Sequence, residues 1–299
     1  EVPGAWVFVA EHVPEKRIGI ACGTLTAGLT AGILLGSLVA TAINSSMTPQ
    51  TVASIGWRIP FFLGGLFGLL AMYLRRWLHE TPVFQQMQQR KMLADTLPLK
   101  TVLTQHRGGV LLSMLLTWLL SACIVVVILM APALMQKQHA IGAALSLQAN
   151  CLATVMLLAG CVIAGWLVDW IGAAKTLMGG SLLLAVCNWH FFASQTPDGD
   201  GLFFNYGLAG LSVGVVGVVP YLMVRAFPAP VRFTGISFSY NVAYAIFGGL
   251  TPIFVTLILR LTPLAPAWYV LALTLVGLLI GMWLYHVERQ GALASDTRL

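Results

Sequence analysis

Seven stretches without a single Asp, Glu, Lys or Arg dominate this chain: 18–57, 108–136, 140–168, 176–197, 201–224, 233–259 and 261–285. Each is as long, or nearly as long, as the roughly 20 residues a helix needs to cross about 30 Å of hydrocarbon. Only 9% of the 299 residues are charged, against roughly 25% in ordinary soluble domains, and 58% are hydrophobic. A soluble core of this size cannot hide so much apolar surface, so the surrounding solvent is a lipid bilayer. Backbone amides in lipid must pair within their own segment, which makes the stretches helices. The alternating segments of a transmembrane barrel, roughly 10 residues each, do not occur. The expected fold class is an all-α integral membrane bundle. Full spans are expected near 18–42, 57–77, 109–135, 143–168, 174–194, 203–224, 233–259 and 267–286, with a partial one at 1–10.

Charge placement orients the spans. Thirteen of the sixteen Lys and Arg residues fall in one alternating set of loops, which holds Lys16, Arg17, Arg75, Arg76, Arg90, Lys91, Lys100, Arg107, Lys175, Arg225, Arg232, Arg289 and Arg298. The other set holds Arg58, Lys137 and Arg260. The positive-inside rule makes the first set cytoplasmic and puts the C-terminus inside. The net charge of +6 is therefore topological, and no nucleic acid is expected as a partner. All five cysteines fall within expected spans, with neither a C-x-x-C nor a His at ligand spacing, so neither disulfide nor metal is indicated. No phosphate-binding Gly-x-x-x-x-Gly-Lys-Ser/Thr loop is present, and no nucleophile, base and orienter cluster emerges. An enzyme and a nucleotide-driven pump are not expected, and no cofactor is.

Three groups of motifs carry a resemblance. Gly165-Trp166-Leu167-Val168-Asp169-Trp170-Ile171-Gly172-Ala173-Ala174-Lys175 resembles the G-x-L-x-D-x-x-G-x-x-x-[K/R] loop of the major facilitator superfamily. It departs from that pattern where basic residues usually follow the Asp and second Gly, leaving Lys175 alone. Trp57-Arg58-Ile59-Pro60-Phe61 and Leu74-Arg75-Arg76, with Glu80-Thr81-Pro82-Val83-Phe84, frame the third element. Phe227-Pro228, Pro230-Val231-Arg232-Phe233-Thr234-Gly235 and Ser239 to Gly249, with Ala10-Glu11-His12 and Pro14 near the start, complete the set. Together they are similar to the metabolite:proton symporter branch, whose members carry proline and betaine, shikimate, α-ketoglutarate or citrate. The resemblance implies a major facilitator-type bundle in which this chain corresponds to helices four to twelve of twelve. Residues 1–78 would be the remnant of the N-terminal bundle and 79–108 a central cytoplasmic loop with a surface helix at Gln85 to Lys91. Residues 109–287 would be the six-helix C-terminal bundle and 288–299 a cytoplasmic tail. The chain would then be N-terminally incomplete.

The candidate site residues follow. Asp169 at a helix end is suited to bind the exposed amides of a neighbouring helix N-terminus, where the dipole favours negative charge; a plain surface turn is the alternative. With Gly165, Gly172, Lys175, Arg17 and Arg232 it is the expected cytoplasmic gate loop. Tyr240, Asn241 and Tyr244 share a face and offer hydrogen bonds and flat surfaces for a methylated ammonium or a ring. They serve equally well as interhelical contacts. Thr117, Trp118 and Ser121 lie mid-span, and the resemblance places their helix along the substrate cavity; small hydroxyls there also suit packing. Tyr206 and Asn205 read as interface anchors. Glu1 is the carboxylate that could sit at membrane depth and is the proton-coupling candidate, unless it is an artefact of where the chain begins. The expectation is a monomeric secondary transporter in a bacterial inner membrane. It would couple the symport of a proton and a small organic acid or zwitterionic metabolite by alternating access. The alternative is a truncated, transport-inactive remnant of such a carrier.

Overall fold

The computed structural model describes residues 2–74, 76 and 98–290. Glu1, Arg75, the Gln85–Lys91 stretch with most of the 79–108 loop, and the tail beyond residue 290 lie outside them. Among the described residues the chain is helical with no strand. The helices are α1 (Val2–His12), α2 (Ile18–Ser46), α3 (Pro49–Ser54), α4 (Ile59–Leu74), α5 (Pro98–Gln105), α6 (Arg107–Gln138), α7 (Ala143–Ile171), α8 (Ala173–Ala193), α9 (Leu202–Arg225), α10 (Ala229–Ile258) and α11 (Ala265–Arg289). Eight of these, α2, α4 and α6 to α11, are long and apolar enough to cross a membrane. They match the eight expected spans, with ends that differ by a few residues.

Prolines shape three of the spans. A proline lacks the N–H that would bond the carbonyl four residues earlier and its ring crowds that carbonyl. The turn before Pro132 in α6 is accordingly wound as a π-helix, Ile124–Met130. The turn before Pro220 in α9 tightens to a 3-10 helix, Gly214–Val218, and the turn before Pro252 in α10 is again π, Tyr244–Gly248. Re-registered turns of this kind free backbone groups that lipid cannot satisfy, so a neighbouring helix has to do so. Tyr206 on α9 does: its hydroxyl lies 2.7 Å from the Val127 carbonyl and 2.6 Å from Asn150 Oδ1 on α7. Asn150 Nδ2 in turn donates to Ser37 Oγ on α2 at 3.1 Å.

That network corrects the reading of Tyr206 as an interface anchor. Its side chain is fully buried, and Phe191 stacks on its ring at 4.4 Å. A tyrosine near a span end looks the same in sequence whether it faces headgroups or a kinked neighbour. Asn205 donates to Ser194 Oγ at the α8–α9 turn, 3.0 Å away. Tyr206→Phe is expected to remove the single hydroxyl proton that the Val127 carbonyl and the Asn150 oxygen share. That should cost about 1–3 kcal/mol, read as a lower unfolding temperature in detergent.

The broadest interface joins α2 to α7, which run antiparallel along their lengths. Close approach is possible because glycines face each other. A Cβ on Gly165 would lie 2.5 Å from the Gly19 carbonyl oxygen, and one on Gly23 would lie 2.5 Å from that of Cys161. Such small-residue contacts drive helix association where no hydrophobic force separates protein from lipid. Gly165→Ala is expected to force α2 off α7 and destabilise by about 1–3 kcal/mol, measured by thermal unfolding. Around this pair α9 packs on α7, α8 on α11, and α10 on α6, while α1 sits against α2, α9 and α10. In contrast, α4 buries none of its residues and rests mainly on α2 and the turn at 56–58.

Candidate functional site

Four helix ends converge where the basic loops lie: the C-terminal end of α1, the N-terminal end of α2, the C-terminal end of α7 and the N-terminal end of α10. The first amides of any helix lack intrahelical partners. At α2 they are met by a carboxylate: Gly19 N–H donates to Asp169 Oδ1 at 2.7 Å and Ile20 N–H to Asp169 Oδ2 at 2.8 Å. Both oxygens are used, and the charge sits on the positive end of the α2 dipole. Gly172 makes the geometry possible. With φ at +92°, a conformation that favours glycine, it turns the chain from α7 into α8 in a single residue. Gly165, one turn before Asp169, presses α7 against Gly19 and Gly23 and so brings the carboxylate within reach.

A second tie lies beside the first. Arg232 on α10 donates from Nη1 to Glu11 Oε1 of α1 at 3.0 Å. Its Nε also lies 3.1 Å from the Val224 carbonyl and 3.3 Å from the Phe227 carbonyl. The Glu11 side chain is only 7% exposed and that of Arg232 22%, so the pair is sheltered from water. Arg17 and Lys175 are exposed and join neither tie. Of the expected gate residues, the structure thus gathers Gly165, Asp169, Gly172 and Arg232 and leaves Arg17 and Lys175 outside. Glu11 was not anticipated as a partner. Its only trace in sequence is a carboxylate at a helix end, 221 positions from Arg232.

The mid-span candidates separate into two groups. Thr117 and Ser121 are fully buried, and their hydroxyls donate to their own helix, at Ser113 O (2.7 Å) and Trp118 O (3.3 Å). Neither offers a face to open space in this conformation. Trp118 stacks on Phe247 at 4.6 Å and donates from Nε1 to the Tyr269 hydroxyl at 3.1 Å. With Phe247, Leu250, Phe254 and Tyr269 it lines a half-open apolar cavity of about 390 Å³ between α6, α10 and α11, whose Leu250 and Phe254 are exposed. Tyr240 lies toward α1, and the Tyr244 ring is 5.3 Å from it. Trp6 of α1 meets Tyr240 edge to face at 5.1 Å. Asn241 is exposed and bonds back to Ser237 O at 2.7 Å. Glu1 lies outside the described residues.

A family model described as Major Facilitator Superfamily matches residues 2–252. The chain belongs to the Major Facilitator Superfamily. Its similarity to individual carriers extends over almost its full length. It is 27% identical over 97% of this chain to a Staphylococcus aureus (strain COL) protein whose name assigns it provisionally to proline/betaine transport. It is 26% identical over 100% of this chain to a citrate-proton symporter of Salmonella typhi. It is 27% identical over 95% of this chain to the glycine betaine/proline/ectoine/pipecolic acid transporter OusA of Dickeya dadantii. The alignments cover 63%, 69% and 59% of those relatives, so the chain spans less than two thirds of the first of them. Membership in this superfamily, with eight membrane-length helices, makes the chain a multi-pass bacterial membrane protein.

Proposed function

We propose that this superfamily member works as a secondary transporter in which the Asp169 and Glu11–Arg232 ties close one end of a solute path. Residues 1–78 act as one moving body and 109–287 as the other, and 79–108 links them on the side of the basic loops. Positive-inside counting makes that side cytoplasmic and places the C-terminal tail there too. The observation that carries the reading is the double tie across the seam. Two independent charge-assisted contacts join α1 and α2 to α7 and α10 at one membrane face, where a rocking carrier has to seal and release. Breaking them lets the bodies part on that side; remaking them seals it.

The solute is a small polar metabolite, organic acid or zwitterion, in keeping with the proline/betaine and citrate relatives. Coupling is to a proton, with Glu1 as the group that takes it up at membrane depth. No nucleotide or metal enters the cycle. The carrier acts as a monomer in an inner membrane.

The test is uptake into proteoliposomes under an imposed pH gradient. Labelled solute is expected to accumulate above equilibrium and to run back out when an uncoupler is added. Accumulation that ignores the gradient would remove proton coupling. Equilibration without accumulation under any gradient would remove secondary active transport altogether.

A further inference from the structure

We propose that Ser37, Asn150 and Tyr206 form a hydrogen-bonded switch that holds the far end of the α2–α7 seam and couples its opening to α6. The proposal rests on the transporter reading above and assigns the contact that releases on the side away from the basic loops.

The α2–α7 interface is tied at both ends. Ser37 lies 18 residues beyond Gly19, roughly 27 Å along α2 from the Asp169 contact. There Asn150 Nδ2 donates to Ser37 Oγ at 3.1 Å. One turn further, Thr41 Oγ1 lies 3.6 Å from Cys151 Sγ, and its own proton goes to the Ser37 carbonyl at 2.8 Å. None of these side chains carries a charge. Neutral hydrogen bonds are roughly half as strong as charge-assisted ones, so this end releases more readily than the Asp169 end.

Asn150 makes the tie a switch. Its side chain is buried and reaches both moving bodies: Nδ2 faces Ser37 of α2, and Oδ1 lies 2.6 Å from the Tyr206 hydroxyl of α9. That hydroxyl is also 2.7 Å from the Val127 carbonyl, inside the π turn of α6. A phenol carries one proton, so Asn150 and Val127 compete for it. With Ser37 in place the amide is held oxygen-first toward Tyr206, and the competition stands. When α2 withdraws, water replaces Ser37 and serves either end of the amide. The amide then turns over, because Nδ2 can donate to the Tyr206 oxygen and leave the phenol proton wholly to Val127. Parting of the seam at this end is thereby transmitted to the π turn of α6, the helix that carries Trp118 and one wall of the apolar cavity. Coupling of this kind needs an element with two discrete arrangements, and the two ends of a carboxamide supply them.

Cys151 is the reporter. It is partly buried beside Thr41, whereas Cys22, Cys123 and Cys161 are fully buried. In a Cys187→Ala background it is therefore the thiol that a charged, membrane-impermeant maleimide reaches. Labelling is measured in right-side-out vesicles carrying the full chain. Ser37→Ala is expected to speed it about three- to tenfold, the change that one neutral hydrogen bond brings. Tyr206 makes no hydrogen bond to α2, yet Tyr206→Phe should speed labelling by a similar factor, because Asn150 loses the partner that orients it. The double variant should be no faster than the faster single one, since both act through Asn150. Asp169→Ala weakens the opposite end and should label no faster than the parent, which controls for general loosening. Unfolding temperatures identify any variant that fails to fold. If Tyr206→Phe does, amide exchange in the Ile124–Met130 peptide of Ser37→Ala carries the test of coupling, and should slow by about twofold or more. Unchanged labelling in Ser37→Ala would overturn the latch, and unchanged labelling in Tyr206→Phe would overturn its coupling to α6. Equal acceleration in Asp169→Ala would overturn both. Uptake that persists beside any of these results leaves the transporter reading intact. Labelling as expected, with no uptake of any solute, would remove that reading and the gating role with it.

Discussion

Glu11→Ala is expected to destabilise the closed arrangement by about 3 kcal/mol, because it strips a sheltered guanidinium of its counter-charge. The figure is at the low end for breaking a buried pair. Arg232 retains the Val224 and Phe227 carbonyls as acceptors, and its side chain is 22% exposed. Arg232→Ala removes the guanidinium from Glu11, whose side chain is 7% exposed, and is expected to cost a comparable amount. The double variant is expected to be milder than the sum of the singles, since neither charge is then left alone. Thermal unfolding of the four proteins in detergent completes the cycle, and uptake assays on the same set show whether the seal matters for turnover. A Glu11→Arg/Arg232→Glu exchange that recovers stability would assign the effect to the pair. If Glu11→Ala melts and transports like the parent protein, the ion pair contributes nothing to the seal.

Asp169→Ala should act on the other tie with comparable size. Its two oxygens accept from Gly19 and Ile20 N–H at 2.7 and 2.8 Å, and hydrogen bonds to a charged group contribute about 1.5–3 kcal/mol each. Some of that is recovered by water reaching the freed amides, so a net loss of about 2–3 kcal/mol is expected. A shift of that size changes the ratio of closed to open forms by roughly 30- to 150-fold. Amide exchange in the peptide spanning the start of α2 reads it directly: Gly19 and Ile20 should exchange at least tenfold faster. Asp169→Asn presents one oxygen and one NH₂ to two donors, so it is expected to fall near the alanine variant. Asp169→Glu places an extra methylene where Gly19 and Gly165 already touch, and should not restore protection. Unchanged exchange in Asp169→Ala would show that α2 is capped by other means.

Much of this architecture was legible from residues alone, and the reason is lipid. A bilayer forbids charge and unpaired backbone, so span number, span position and loop polarity leave marks that need no contact information. The eight membrane-length helices and the Gly165–Lys175 loop could be read in that way. So could the capacity of Asp169 to meet a helix N-terminus, though which helix it meets could not.

Within the bilayer the same solvent erases the signal that tells core from surface. Lipid tails and protein interior are equally apolar, so a span carries little periodic contrast between its faces. Thr117 and Ser121 are sealed in packing, Trp118 lines a cavity and Tyr206 caps a proline-induced π turn. Nothing in the local pattern of any of them distinguishes these fates. Partnerships over long separations are equally hidden: Glu11 with Arg232, Trp6 with Tyr240, Asn150 with Ser37. Hydrophobic length and charge are properties of one segment in its solvent and survive in the order of residues. Which faces meet is decided by glycine-limited approach and proline-bent axes acting together, and that exists only once the helices have packed.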